Sequence, residues 1–291
     1  MKLNFVILMT FMLFNNLISQ ENTKPKVFSK PNIVVMPKAY DGKNPIDVIK
    51  SDRIAEQIIQ SIKNALQKEG FTPKDAVKDI QNFDLQRAKM KSLNLDNSAL
   101  IASCVDADIF FEFTYSKNDK FKFGARQYIC NLDVIESGTN QSLGTVTGTS
   151  GQPSNEGADE MIASIAAENA LKECLTLVTS YWNKTPTMGK PYNIIIGFNT
   201  IAPNEDFNGK YPDAVIQDYI MGTMKAIGTP DPNVGDKTII YKPVYFDIND
   251  YPTSSKVRDS LRKLFDNLFP KESGIKMNVT NTGKIITIDQ K

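Results

Sequence analysis

From Ala107 to Ser150 the chain alternates apolar and polar residues with a period of two. Ile109, Phe111, Phe113 and Tyr115 are apolar, and Asp108, Glu112 and Thr114 fall between them. Such a pattern marks a strand with one buried face. A second run sets Tyr128, Cys130, Leu132 and Val134 against Gln127, Asn131 and Asp133. Ser137-Gly138-Thr139-Asn140 is a turn signal, and Leu143–Thr149 is a third run, rich in Thr and Val. The stretch predicts a three-stranded meander, with Gly144 and Gly148 as points of bulge or close approach.

Helical spacing flanks it. Ile54, Ile58, Ile62 and Leu66 form a stripe that predicts a helix over Asp47–Gln67, stopped by Gly70. Thr72-Pro73-Lys74-Asp75 predicts a new helix start, with Thr72 as N-cap and Pro73 in the first turn. A less regular helix is expected over Phe83–Leu100. Ile162, Ala166, Ala170, Cys174, Leu177, Val178 and Tyr181 predict a long helix from Glu156 to Tyr181. These helices are expected to cover one face of the meander.

Two short continuous apolar runs, Asn32–Pro37 and Tyr192–Phe198, suit strands covered on both faces. After the second come a helix over Tyr211–Ile227 and an extended run, Lys237–Ile248, in which Pro243 marks an edge or a kink. A helix over Ser255–Phe269 follows, then a hairpin around Asn281-Thr282-Gly283. The predicted fold is α/β (α+β), with two domains, each a small mixed or antiparallel sheet covered by helices. The first spans residues 31–183 and the second 192–291. Residues 184–191, rich in proline and glycine, form the expected linker.

The first twenty residues place Lys2 before an apolar run from Phe5 to Phe14. That run is shorter than the roughly 20 apolar residues a bilayer span needs. It is expected to be a signal peptide cleaved near Ser19 or Gln20, with an uncleaved anchor as the alternative. Residues 21–30 read as a polar tether. No Cys follows the run, so no lipid anchor is expected, and no later segment reads as a membrane span. The expected location is periplasmic or secreted.

Composition narrows the chemistry. The 291 residues are 41% hydrophobic and 23% charged, enough for a real core without disulfide staples. Without the first twenty residues, which hold Lys2 and no acid, 33 bases face 33 acids. Nucleic acid is therefore not an expected partner. There is no histidine, which excludes Ser-His-Asp and Cys-His nucleophile systems and any zinc site needing imidazole. Cys104, Cys130 and Cys174 show no CxxC spacing and read as small buried hydrophobes; one disulfide, with Cys104 the favoured member, and a reactive thiol are the alternatives.

The remaining motifs favour plain readings. Asp247-Ile248-Asn249-Asp250 has calcium-type oxygens without EF-hand spacing and reads as a solvated turn. Glu205-Asp206 and Asp106 with Asp108 are acidic pairs of the kind glycoside hydrolysis uses, but loop acids are usually solvated. Gly144–Gly151 is Gly-rich, lacks a following Lys-Ser/Thr, and lies in strands, so it is not a phosphate loop. Lys117–Lys122 with Phe121 and Phe123 reads as a hairpin connection. Asn140, Asn183 and Asn278 head sequons that matter only in a glycosylating host.

The pieces Lys30–Pro37 (KPNIVVMP), Gly70–Asp79 (GFTPKDAVKD), Ala107-Asp108-Ile109 and Leu132–Pro153 resemble an uncharacterised secreted family of Bacteroidetes, a domain of unknown function. The resemblance extends over Tyr211–Ile227 and Gly274–Ile288. Relatives often carry Trp or Cys after the first strand; Lys38–Asn44 holds neither, so no site carries over there. At fold level the first domain also resembles the module of curli-secretion and penicillin-binding-protein-activator lipoproteins. The shared turn lies at Asp133–Gly138. Those proteins act by binding in the envelope, and they use a lipid anchor.

Together these readings predict an exported, non-enzymatic envelope binding or assembly protein, with no cofactor and no metal site. Its expected partner is an envelope protein or a glycan. A carboxylate-dependent glycan hydrolase and a secreted structural or host-facing protein are the alternatives. The expected partner face is the polar side of the meander: Asp108, Glu112, Thr114, Gln127, Asn131 and Asp133.

Overall fold

The computed structural model describes residues 29–40, 43–79, 96–207 and 209–291. The expected signal peptide, nearly all of the tether, and positions 83–95 of the expected third helix lie outside the described residues.

Two five-stranded mixed sheets organise the chain. In the first, β1 (Ile33–Pro37) runs parallel to β3 (Ile109–Asn118) on one side and to the two-residue β2 (Pro73–Lys74) on the other. β4 (Gln127–Glu136) and β5 (Gln141–Thr149) continue from β3 antiparallel, as the alternation predicts. Ile33 and Val35 enter one apolar cluster, Val34 and Met36 another, so β1 is covered on both faces.

Helices α2 (Arg53–Lys68) and α5 (Asp159–Trp182) cover the face built by Ile109, Phe111, Phe113, Tyr128, Cys130, Leu132 and Val134. β5 comes so close to α5 that a Cβ on Gly148 would lie 2.1 Å from the Ala166 carbonyl oxygen. This is a close approach only glycine permits. Cys104, Cys130 and Cys174 are buried thiols, none of them in a disulfide, and burial pushes each up to about 12.

Local chemistry corrects two helix expectations. The helix foreseen over Asp47–Gln67 is two, α1 (Pro45–Ser51) and α2, because Asp52 leaves helical backbone and caps the second. Its Oδ1 accepts from the Ile54 and Ala55 amides at 3.0 and 3.1 Å. Further on, Thr72 and Pro73 do not start a helix. Pro73 and Lys74 pair with β1, and Asp75 caps the short α3 (Ala76–Asp79) through the Val77 and Lys78 amides.

The second sheet has β6 (Lys190–Gly197) at its centre, parallel to β10 (Ile285–Gln290) and antiparallel to β8 (Thr238–Phe246). The two-residue β7 (Asn233–Val234) and β9 (Met277–Thr282) close the edges. The expected linker holds the short α6 (Thr185–Met188) and the first residues of β6. α7 (Pro212–Asp218) passes into a π-turn at Tyr219–Thr223, short of the predicted Ile227, which instead bridges to Tyr245. α8 (Ser254–Leu268) packs Val257, Leu261, Leu264 and Phe265 inward.

Between the sheets lies an apolar cluster shared by both. α4 (Asn97–Cys104) supplies Ala99–Ala102; the first sheet supplies Val34, Met36 and Phe110, and the second Ile195 and Ile285. The β9–β10 turn seats against the end of α4, where Gly283 (φ +55°) has no room for a side chain.

Candidate functional site

Polar groups gather in two places, and they behave differently. The first is a buried ionic cluster at the junction of the sheets. Lys190 begins β6 and Lys284 precedes β10, and their ammoniums lie 3.1 and 2.9 Å from Asp108 Oδ1. Asp108 Oδ2 accepts from the Asn32 amide at 2.9 Å. Lys284 Nζ also donates to Ser137 Oγ at 3.3 Å, and Lys190 Nζ to the Pro252 carbonyl at 3.3 Å. Burial alone would raise the Asp108 carboxyl. The Lys284 and then the Lys190 charge outweigh it and hold the pKa down to about 2. Burial disfavours the Lys284 charge, but Asp108 and then Glu136 more than restore it, so its pKa lies above the ordinary lysine value. Glu136 itself accepts from the Gly138 and Thr139 amides at 2.8 and 2.7 Å.

Asp108, expected on the partner face, is thus withdrawn from solvent and anchors the second sheet to the first. The Asp106 and Asp108 pair is no acid–base couple either, because Asp108 is held ionised. Glu205 and Asp206 lie in an exposed loop, where Asp206 Oδ1 accepts from the Gly209 amide at 2.8 Å. Asp247 Oδ1 accepts from its neighbour Asn249, closing the solvated turn the sequence predicts.

The second place is the sheet face opposite α2 and α5. Register sets its polar side chains in two cross-strand rows. Glu112, Asp133 and Thr145 stand side by side, and Thr114, Asn131 and Thr147 form the next row. Thr145 Oγ1 donates to Asp133, and Thr147 Oγ1 donates to Asn131 Oδ1 at 2.7 Å. Thr114, Thr145 and Thr147 are exposed; Glu112, Asn131 and Asp133 are partly buried. Gln127 shares the parity but lies at the far end, its Nε2 turned to the Gly151 carbonyl at 2.6 Å. α4 covers the near end: Ser98 Oγ donates to Glu112, and Asp96 caps α4 and accepts from Asn140. Glu112 has its carboxyl raised, first by burial and then by Asp96 and Asp133, while Ser98 and Lys38 act the other way.

A pocket of about 370 Å³ opens at the edge of β3, lined by Pro37, Lys38, Tyr40, Val48, Phe113, Thr114 and Tyr115; Val48, Phe113 and Tyr115 belong to the α2 side of the sheet, and Thr114 alone links the pocket to the rows. It lies where β1 ends at Pro37, opposite Phe113, and β3 runs on through Thr114 and Tyr115 past its parallel neighbour. Its lining is chiefly apolar and aromatic. Asp52 fixes its rings: the Tyr115 hydroxyl donates to Oδ2 at 2.6 Å and the Tyr40 hydroxyl at 3.5 Å. Period-two reading found four of the six row residues. Thr145 and Thr147 were legible by the same parity, whereas Tyr40, Asp52 and Ser98 carry no signal before the chain folds.

Among the described residues no group of three or more Cys, Asp or Glu is placed to hold a metal ion. No described helix is long and apolar enough to cross a membrane.

No family model matches the chain, and no curated protein does. Solved structures similar to it include a PelC dodecamer from Paraburkholderia phytofirmans, 11% identical, covering 51% of this chain and 89% of that one with a TM-score of 0.28. Lipoprotein GNA1162 from Neisseria meningitidis is 10% identical over 53% of this chain and 99% of its own, TM-score 0.26. Protein XCC0632 from Xanthomonas campestris, a DUF330 protein, is 10% identical over 54% and 89%, TM-score 0.28. The secreted Bacteroidetes family is not among these three.

Proposed function

We propose that the protein is an exported, non-enzymatic binding or assembly protein of the cell envelope. Its binding surface is the paired rows Glu112–Asp133–Thr145 and Thr114–Asn131–Thr147, together with the aromatic pocket at the edge of β3. The observation that carries this reading is that Thr114 belongs both to the polar rows and to the lining of a mostly apolar pocket at the edge of the same sheet. The pocket supplies anchoring area through Tyr40 and Tyr115, and the rows supply orienting hydrogen bonds. An envelope protein segment or a glycan fits that combination. The missing histidine and the three thiols pushed up to about 12 by burial give imidazole and thiolate catalysis no support.

The immobilised chain incubated with envelope extract and with soluble peptidoglycan fragments tests the proposal. Retention of a partner or fragment by the wild type, lost in Asn131→Lys and Tyr40→Ala variants that keep the melting profile, is the expected result. Equal retention by all three proteins, or none by any, overturns it.

One observation favours a second reading. Glu112 combines a raised carboxyl with nearby Asp96 and Asp133, the makings of a general acid beside carboxylates. A carboxylate-dependent glycan hydrolase would release reducing ends from peptidoglycan or polysaccharide and lose that activity on Glu112→Gln. No product release removes this reading.

A further inference from the structure

β5 is an edge strand: it pairs with β4 and, among the described residues, with no other strand. The Ser150 amide donates to the Tyr128 carbonyl at 2.9 Å. Antiparallel alternation then turns the backbone of Gly144, Val146 and Gly148 toward β4 and that of Thr145, Thr147 and Thr149 outward. The Thr149 carbonyl is taken by Asn169 Nδ2 at 2.8 Å, which leaves the Thr145 and Thr147 amides and carbonyls facing out. Natural edges are commonly guarded by charge, proline or brevity. β5 has nine residues, Gln141 to Thr149, with no charged residue and no proline.

The order of residues in this strand points to one occupant. Gly144-Thr145-Val146-Thr147-Gly148 reads the same in both directions. In a two-fold antiparallel pairing of two copies centred on Val146, Thr145 meets Thr147 of the second copy, Gly144 meets Gly148, and Val146 meets itself. An isologous interface needs such a self-complementary patch. Thr–Thr pairs across antiparallel strands are favourable, and no like charges on the strand oppose each other. The outward amides and carbonyls of Thr145 and Thr147 are those that such a register pairs.

We propose that the protein self-associates through β5, joining two copies of the first sheet into one continuous sheet about a two-fold axis at Val146. The polar rows of the two copies then run together across the axis, since Thr145 and Thr147 end each row. This pairing uses the outward backbone groups of Thr145 and Thr147, whereas the proposed binding surface uses their side chains.

Sedimentation equilibrium of the purified full chain, taken up to about 100 µM to reach a small interface of modest affinity, tests it. The expected result is a monomer–dimer equilibrium that Thr147→Pro weakens at least tenfold. Proline there removes an outward amide and leaves the bonds to β4 in place. Thr145→Lys, which adds charge to the edge, has the same expected effect. Amide hydrogen exchange of the wild type needs no variant: the Thr145 and Thr147 amides slow as concentration rises. A chain monomeric throughout, a dimer indifferent to both substitutions, or exchange at these amides independent of concentration overturns the proposal.

Discussion

Replacing Asp108 by Asn removes the shared countercharge of two buried ammoniums while keeping the side chain's shape. In the wild type the carboxyl is held near pKa 2 against an ordinary 3.8. At about 1.4 kcal/mol per unit, that depression stabilises the fold by about 2 kcal/mol. The sign follows from the direction: the contribution is fully present above pH 3.8 and is lost as the pH falls through it toward 2. Asparagine does more than forgo this contribution. It leaves Lys190 beside the Pro252 carbonyl and Lys284 beside Ser137 and Glu136, with no carboxylate between them. Breaking a buried ion pair from one side costs about 3–5 kcal/mol, a fall of roughly 10 °C in Tm. Urea denaturation and thermal melts followed by circular dichroism, from pH 7 down to pH 2, measure both effects. The gap between wild type and Asp108→Asn is widest near neutrality and narrows below pH 4. A gap under about 1 kcal/mol at pH 7, or one that does not change with pH, would refute the ionic account of this junction.

Three further outcomes are expected. Glu112 is perturbed in the opposite sense: its raised pKa means stability present below its ordinary 4.5 and diminished as the pH rises through the folded value. Glu112→Gln is therefore more stable than wild type at pH 7, and the advantage disappears below about pH 4 in a Tm-against-pH series. In Gly283→Ala the new Cβ would stand 1.9 Å from the Ser103 carbonyl oxygen at φ +55°, so a loss of more than about 2 kcal/mol is expected on urea titration. The three thiols, all buried, stay inert to Ellman's reagent in the native protein and react together on unfolding; prompt reaction of the folded chain would contradict their placement.

Much of the architecture is legible from short-range pattern. Period two places β3 and β4, continuous β-branched runs mark β1 and β6, and four-residue spacing marks α2, α5 and α8, because burial on one face forces those repeats. Misreadings occur where a single polar side chain competes with the pattern. Asp52 divides the expected helix just before its apolar stripe begins, because its carboxylate caps a helix better than it continues one. Thr72 and Pro73 have the right order for a helix start, yet Pro73 and Lys74 meet the open edge of β1 and pair there instead.

By itself the chain's amino-acid order determines which residues alternate, which stripes turn inward, and that histidine chemistry is unavailable, since each depends on neighbours or on composition alone. Only the tertiary structure decides what Asp108 is for. By alternation it belongs with Glu112 and Thr114 on a wet face, and its lysine partners are remote in sequence, as is Ser137 from Lys284, 147 residues apart. A buried charge is tolerable only when opposite charge meets it in space, and one-dimensional spacing carries no record of that meeting. The rows and the pocket follow the same rule: alternation names their members, and strand register sets them side by side.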